Sequence, residues 1–415
     1  MRISRLLLLL QLLAAACSGP PAGTLARTID STGDTVVVRF SGSVPEGAIH
    51  PLVEELRIAP ASQDTSLFAE VGDFEVDRAG GLWVYDRTAN LIFRFDSEGR
   101  LVQRIGREGA GPGELRSATG MVALPDSGVA IWDSRNARIT RFDFAGNLRA
   151  SITIPAGFAS SDGLMTDRTG RLYVRYPVAA PRDGDFIGLV GLVGVRPEGG
   201  FRDSLLPPRS EVPTIEYRAE RSSGGGRSVS STGPEFGARS LWRFHPDGFF
   251  VVAHGGDYQI LLARSPQPLI IERTLVPVPT SEAERANERD RIIWSMRQTD
   301  PAWSWKGAAL PEAKAPLMDL SVTRDGRLWA RIAVPSEPVP EAERDVPRNR
   351  DQPVRRFRTP VAYEVFSPDG EFLGRIELPA RTRLVEADGN LLWALARDPD
   401  GLPAVVRFRI EPPLP

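Results

Sequence analysis

Cysteine is almost absent from this chain. Its 415 residues hold one, Cys17, and three histidines, His50, His245 and His254. A lone cysteine excludes an internal disulfide framework and any cysteine-rich metal site. Lysine is nearly missing as well, with only Lys306 and Lys314 against many arginines. The formal net charge is -2, so the basic excess that nucleic acid demands is lacking and no nucleic-acid partner is expected. Long apolar runs are lacking too. Leu6–Leu13 and Phe186–Val195 are both too short to cross a bilayer as a permanent helix. Sustained helical periodicity is scarce, while 39 glycines and 36 prolines punctuate the chain. That balance points to a mostly β protein. No HExxH, CxxC or G-x-S-x-G pattern occurs, so the common metalloprotease, redox and serine-hydrolase signatures are excluded.

What is present begins with "MRISRLLLLLQLLAAAC". Arg2 and Arg5 form a basic start, Leu6–Leu13 an apolar core, and Ala14–Ala16 a small-residue tail. This resembles a bacterial lipoprotein signal, which implies that residues 1–16 are removed and Cys17 carries lipid. Ala14 departs from the aliphatic residue usual three places before that cysteine. Removing Arg2 and Arg5 takes the net charge from -2 to -4. Ser18, by resemblance to other lipoproteins, favours the outer over the inner membrane. The chain divides into this signal, an anchor and flexible linker over 17–33, and a single domain over 34–412.

That domain repeats itself. "VYDRTANLIFRFDSEGRLV" at 84–102 returns as "IWDSRNARITRFDFAGNLR" 47 residues later. Six turn glycines mark the copies: Gly81, Gly128, Gly170, Gly248, Gly326 and Gly389. Each opens an apolar strand rich in β-branched and aromatic residues, the signature of a hairpin. A unit of four strands cannot bury both faces alone, and radial stacking solves this. The expected fold is therefore all-β: a six-bladed β-propeller with four-stranded antiparallel blades. The last copy lacks its fourth strand, and "DTVVVRFSG" at 34–42 is expected to supply it and close the ring.

The tract "GREGAGPGELRSATG" after "RFDSEGRLVQRI" resembles the NHL-repeat pattern, sharply over residues 72–154 and more weakly elsewhere. With the N-terminal signal, the chain resembles six-bladed NHL/TolB-like propeller lipoproteins. The resemblance specifies a fold and little of function.

Strand parity sends the long segments (107–117, 177–185, 207–239, 277–316, 334–359 and 397–403) to one face, and loops of such length are commonly functional. "TSEAERANERDRIIWSMRQ" reads as a capped short helix. "RSSGGGRSVSSTG" at 221–233 reads as a flexible loop without the lysine of a phosphate cradle. Candidate binding residues on this face are Arg87, Arg135, Arg175, His254, Arg331 and Arg397, with Trp303 and Trp305 nearby. Arginine offers a planar fork to carboxylates or phosphates, and Trp303 and Trp305 either stack on a ligand or pin the helix. His254 is a candidate base or ligand, while His245 belongs to the opposite face. Asp86 and Asp133 occupy equivalent strand ends, as calcium ligands or as acceptors of turn N–H groups. No catalytic set emerges. The sequence thus suggests a monomeric, exported, lipid-anchored propeller of the cell envelope that recognises a protein, peptide or glycan. A propeller-type lactonase, hydrolase or lyase acting at the central tunnel is the alternative. No cofactor is expected, although a divalent cation in the tunnel stays open.

Overall fold

A computed structural model describes residues 23–60, 67–125, 127–154, 163–178, 190–208, 214–223, 226–347 and 349–415. The signal, Cys17, and parts of the 177–185 and 207–239 segments lie outside the described residues. Six antiparallel sheets form the blades, each lettered a to d from the axis outwards. Blade 1 consists of Val71–Val76, Leu82–Asp86, Leu91–Phe95 and Leu101–Ile105, and blade 2 of Ala118–Leu124, Gly128–Asp133, Arg138–Phe142 and Leu148–Thr153. Blade 3 consists of Leu164–Thr166, Leu172–Pro177, Val190–Val195 and Phe201–Leu205, and blade 4 of Ser240–Phe244, Phe250–His254, Gln259–Leu262 and Leu269–Arg273. Blade 5 consists of Leu317–Val322, Leu328–Ile332, Val361–Phe366 and Phe372–Leu378. Blade 6 combines Thr382–Asp388, Leu391–Arg397 and Pro403–Ile410 with an outer strand, Leu52–Ile58, from the other end of the chain.

The expected fold therefore holds, but ring closure uses a different segment. Val36–Gly42 does not complete blade 6. It runs parallel to strand d of blade 4, Val36 opposite Leu269, and Leu25–Asp30 pairs outside it. Blade 4 thus becomes a six-stranded sheet, and part of the expected linker is a strand. Both segments alternate as strands should. Which edge each joins depends on contacts more than 200 residues away in sequence, for which no local pattern exists.

Apolar residues explain why the blades stack. Each blade-to-blade interface holds its own buried cluster, from Trp83, Ile92 and Ile131 between blades 1 and 2 to Trp393, Phe74 and Val84 between blades 6 and 1. Trp83, Trp132, Trp329 and Trp393, all on b strands, are the largest fully buried side chains. Burying one such aromatic stabilises by about 2–3 kcal/mol. Between blades 3 and 4, Tyr173, Leu192, Phe250 and Val252 meet, flanked by Met165, Trp242 and Phe244.

The a–b turns repeat one device. Asp77 Oδ1 accepts the N–H groups of Ala79 and Gly81, both at 2.9 Å, and its Oδ2 accepts the indole N–H of Trp83 at 3.1 Å. Asp167 does the same in blade 3, with the Tyr173 hydroxyl donating at 2.9 Å. One aspartate thereby closes a turn and satisfies the polar tip of a core aromatic. The Gly-Pro-Gly-Glu tract before blade 2 is also locally closed, with Gly111 N–H donating to Glu114 at 2.6 Å and Leu115 fully buried.

Candidate functional sites on the two faces

The b–c turns and d-to-a connections leave the ring on one face, and all the long segments belong to these two classes. Three of them interlock as a cap beside blades 4 and 5. The helix Glu282–Thr299, 18 residues long and capped by Ser281 Oγ accepting from Glu284 N–H, packs on a hairpin of Tyr217–Ser223 and Gly226–Thr232. The glycine-rich tract is thus mostly paired strand rather than a flexible loop. Ala219 and Tyr217 bury one side of the hairpin against the helix, and Glu220 bridges to Arg227 across the strands at 2.5 Å. The third segment, 334–359, is tied in through Asn287, which donates to Val354 O at 3.0 Å and accepts from Arg356 N–H at 2.9 Å.

Lys314 fastens the cap to blade 5. Its side chain is fully buried, and Nζ donates to Val334 O at 2.9 Å, Ser336 Oγ at 2.6 Å and Thr359 Oγ1 at 2.8 Å, with Glu284 at 3.5 Å. Burial pulls its pKa down while Glu284 holds it up. A cleft of about 940 Å³ opens between the cap and blade 6, lined by Trp294, Arg344, Asp345, Val346, Arg381 and Asp400, among others.

The sequence-derived residues fall into three groups. Arg87, Arg135 and Arg397 are exposed on or beside b–c turns, with Arg87 3.7 Å from Glu70 and Arg397 donating to Gly401 O at 2.8 Å. Arg397 lies next to the cleft. Arg175 and Arg331 occupy the register of Tyr85, not that of Asp86: Tyr85 pairs with Asp73 and Arg331 with Asp319. Aligning the turn glycines misplaces them by one residue, and one residue changes the face of a strand. Their side chains accordingly turn to the blade interface. Arg175 stacks 4.0 Å above Trp242 of blade 4, while Arg331 is half-buried. His254 takes the Asp86 register and is half-buried. Trp303 is buried in the hairpin–helix core with Nε1 donating to Arg218 O at 2.9 Å. Trp305 packs 4.4 Å from Tyr217 and beneath Arg289. Trp303 therefore pins the helix, and Trp305 shares that role while keeping a partly open face.

Asp86 and Asp133 are N–H acceptors. Asp86 receives Ala69, Glu70 and Thr88 N–H, and Asp133 receives Arg116, Ser117 and Asn136 N–H plus the Asn136 amide at 2.7 Å. Each staples the incoming d-to-a connection to its own b–c turn. His245, fully buried, stacks on Phe249 at 4.2 Å; its Nδ1 accepts from Asp247 N–H and its Nε2 donates to Gly326 O at 3.2 Å. Burial lowers its pKa, in keeping with a neutral ring.

The opposite face carries the mouth of an axial cavity of about 640 Å³, to which all six blades contribute through strand a and the a–b turn. Sequence reasoning allowed for a site at the central tunnel but named none of the residues that line it. Asp73 accepts Met121 N–H at 2.8 Å and Phe74 N–H at 2.9 Å, so it caps the unpaired inner edge of blade 2. Glu75 accepts Ala123 N–H at 3.3 Å, and Glu386 accepts Arg324 and Ala387 N–H at 3.0 and 2.7 Å. Burial pushes Asp73 up to about 6 and Glu386 up to about 7. Glu75 is pushed well above the usual carboxylate range by burial and by the neighbouring charges of Asp73 and Glu386. The available signal was acids inside otherwise apolar inner strands, "VGDFEV" and "LVEADG". Among the described residues no group of three or more His, Cys, Asp or Glu forms a metal-binding cluster, and no helix is long and apolar enough to cross a membrane.

Comparison with known proteins agrees with the architecture. A family model described as a 6-bladed beta-propeller matches residues 59–176. No curated protein sequence matches the chain. Among solved structures, a Bacteroides fragilis protein described as exported is 10% identical, with 90% of this chain and 99% of that one covered and a TM-score of 0.46. A duf4221 family member from Bacteroides vulgatus is 10% identical, with 87% and 98% covered and a TM-score of 0.49. Virginiamycin B lyase from Staphylococcus aureus is 11% identical, with 85% and 98% covered and a TM-score of 0.38. The chain is an all-β, six-bladed propeller with one α-helix among the described residues.

Proposed function

We propose that this chain is an exported, lipid-anchored recognition propeller of the cell envelope, acting as a monomer on a protein, peptide or glycan through its loop-bearing face. One observation carries the reading: three insertions separate in sequence are locked by Lys314, Asn287 and Glu235 into a single cap beside a cleft of about 940 Å³. Loops with no common task have no reason to share a buried lysine, whose desolvation costs several kcal/mol unless fully partnered. The cleft combines an aromatic, Trp294, with Arg344, Arg381 and Asp400, the mixture by which concave sites orient polar ligands. Outer-membrane sorting through Cys17 belongs to the same reading.

The test is capture of partners from native envelope extract by wild type and by the Arg344→Glu/Arg381→Glu variant. A specific partner retained by the wild type and lost by the folded variant supports the cleft as the site. A partner held equally by both removes it. The alternative, a propeller-type lactonase, hydrolase or lyase, is favoured by one feature: Glu386 titrates near neutrality inside the axial cavity, as a general acid or base must. Turnover of a lactone or ester panel, abolished by Glu386→Gln, would establish it. Elemental analysis of the same protein addresses a divalent cation in the tunnel.

A further inference from the structure

The axial cavity lies on the face opposite the cap, and its wall is divided. Blades 2, 3 and 4 supply Val122, Leu124, Met165 and Phe244, whereas blades 1, 5 and 6 supply mostly charged groups. Within the charged half, two carboxyl groups are arranged alike. Glu386 receives both of its backbone N–H bonds on Oε1, and Glu75 receives its one N–H bond on Oε2. Among the described residues, the second oxygen of each accepts no hydrogen bond, and neither is sealed away from the cavity. Asp73 differs, because both of its oxygens are occupied. Two glutamates are thus held in place through one oxygen each and leave the other unbonded beside the cavity.

The cavity arginines make other contacts, although the charge of Arg324 also acts on Glu75 and Glu386. Arg324 donates to Val76 O at 2.8 Å and lies 3.7 Å from Asp388. Arg168 pairs with Asp247 and donates to Asp325 O at 3.3 Å. Arg78 has its own partner. Asp167 is consumed by its turn, and Arg243 of blade 4 is paired with Asp319 at 2.8 Å. Blade 2 brings no charged described side chain to the cavity. Glu75 and Glu386 therefore each keep one unbonded oxygen in a cavity that also has an apolar wall, with the more exposed Asp388 beside them.

We propose that this cavity is a second binding site, for an organic cation that sets an ammonium or guanidinium group against Glu75 and Glu386 and an apolar body against Val122, Leu124, Met165 and Phe244. A cation there replaces the mutual repulsion of the acids with attraction, so binding draws both towards the ionised form. The cost of burying the two carboxyls is already met by the fold, which is preorganisation for a charged ligand. Because both glutamates hold protons more tightly than ordinary carboxyls, cation binding releases protons below neutrality. The site stands on the face opposite the cleft and does not depend on the envelope-recognition reading.

The experiment is calorimetric titration of the purified full chain at pH 6 and pH 8 with phenethylamine, using phenethyl alcohol and phenylacetate as neutral and anionic counterparts. The amine is expected to bind at least tenfold more tightly than the alcohol and to release protons at pH 6. Glu75→Gln and Glu386→Gln are each expected to weaken the amine about tenfold while leaving the alcohol unchanged, which also reports that the variant cavity is intact. Equal affinity for amine and alcohol, preference for phenylacetate, no amine binding at millimolar concentration, or wild-type amine affinity in both variants would each overturn the proposal.

Discussion

Replacing Asp133 by alanine tests the logic by which the connections are held. Asp133 is fully buried, and its two oxygens accept from Arg116 N–H at 2.9 Å, Ser117 N–H at 3.2 Å, Asn136 N–H at 3.3 Å and Asn136 Nδ2 at 2.7 Å. Asn136 is half-buried and can turn outwards. The backbone donors of Arg116 and Ser117 cannot, and an orphaned buried donor costs about 1–3 kcal/mol. With the lost charge assistance, Asp133→Ala should destabilise by about 3–5 kcal/mol. Asp133→Asn keeps one acceptor but aims an amide at N–H groups, and about 2–3 kcal/mol is expected. Asp86→Ala should behave alike in blade 1. Urea unfolding at fixed pH measures all three, with Asp369→Ala at an exposed turn as a control expected to change little. A loss below about 1 kcal/mol for Asp133→Ala would refute the stapling argument. Because these oxygens are occupied by N–H donors, millimolar calcium should not raise the unfolding midpoint of the wild type. A calcium-dependent rise would restore the metal reading of Asp86 and Asp133.

Other outcomes follow from the same structure. Glu386 is raised from 4.5 to about 7 in the folded state, so the folded protein holds its proton more tightly. Its contribution favours folding at low pH and is lost as pH rises from about 5 through 7. Glu386→Gln should therefore match wild type near pH 5 and exceed it at pH 8 by up to about 3 kcal/mol, as chemical denaturation at the two pH values will show. Lys314→Ala should cost about 3–5 kcal/mol by stranding Glu284 and its neighbours, and limited proteolysis should then cut within 334–359. Trp303→Ala should cost about 3–5 kcal/mol in the cap, read as faster amide exchange over 217–232 with blades 1 and 2 unchanged.

The blades were legible because each carries its own turn aspartate or glycine and an apolar b strand, so six copies could be counted from local pattern alone. Three features were not local. Whether Val36–Gly42 or Leu52–Ile58 closes blade 6 depends on which of two β-competent segments meets a distant edge, and nothing in either segment encodes that meeting. The hairpin at 217–232 hid behind glycine and serine because its stability comes from Tyr217 and Ala219 packing on the helix, not from strand propensity. The register of Arg175 and Arg331 was lost because turn lengths differ between blades, so counting from a glycine slipped by one residue. The loop-bearing face was readable from strand parity. The central tunnel was expected as an alternative site, but its acids were not, since Glu75 and Glu386 come from two blades and do not recur around the ring.

On the proposed lipid anchor at Cys17, the hairpin added to blade 4 would also set where the tether joins the molecule. Leu25 pairs with Gly42 at the end of the sheet from which the b–c turns leave, so the chain enters at the outer rim of the loop-bearing face. Seven residues lie between Cys17 and Leu25, and the eight steps span at most about 29 Å when fully extended. With lipid on Cys17, blade 4 cannot drift far from the bilayer. With that anchor the cap beside it would stay within tether reach of the membrane surface, and a partner in the same membrane would be met by lateral diffusion. The axial cavity opens on the other side of the disc, and under the same anchoring it would face away from the membrane, open to small solutes.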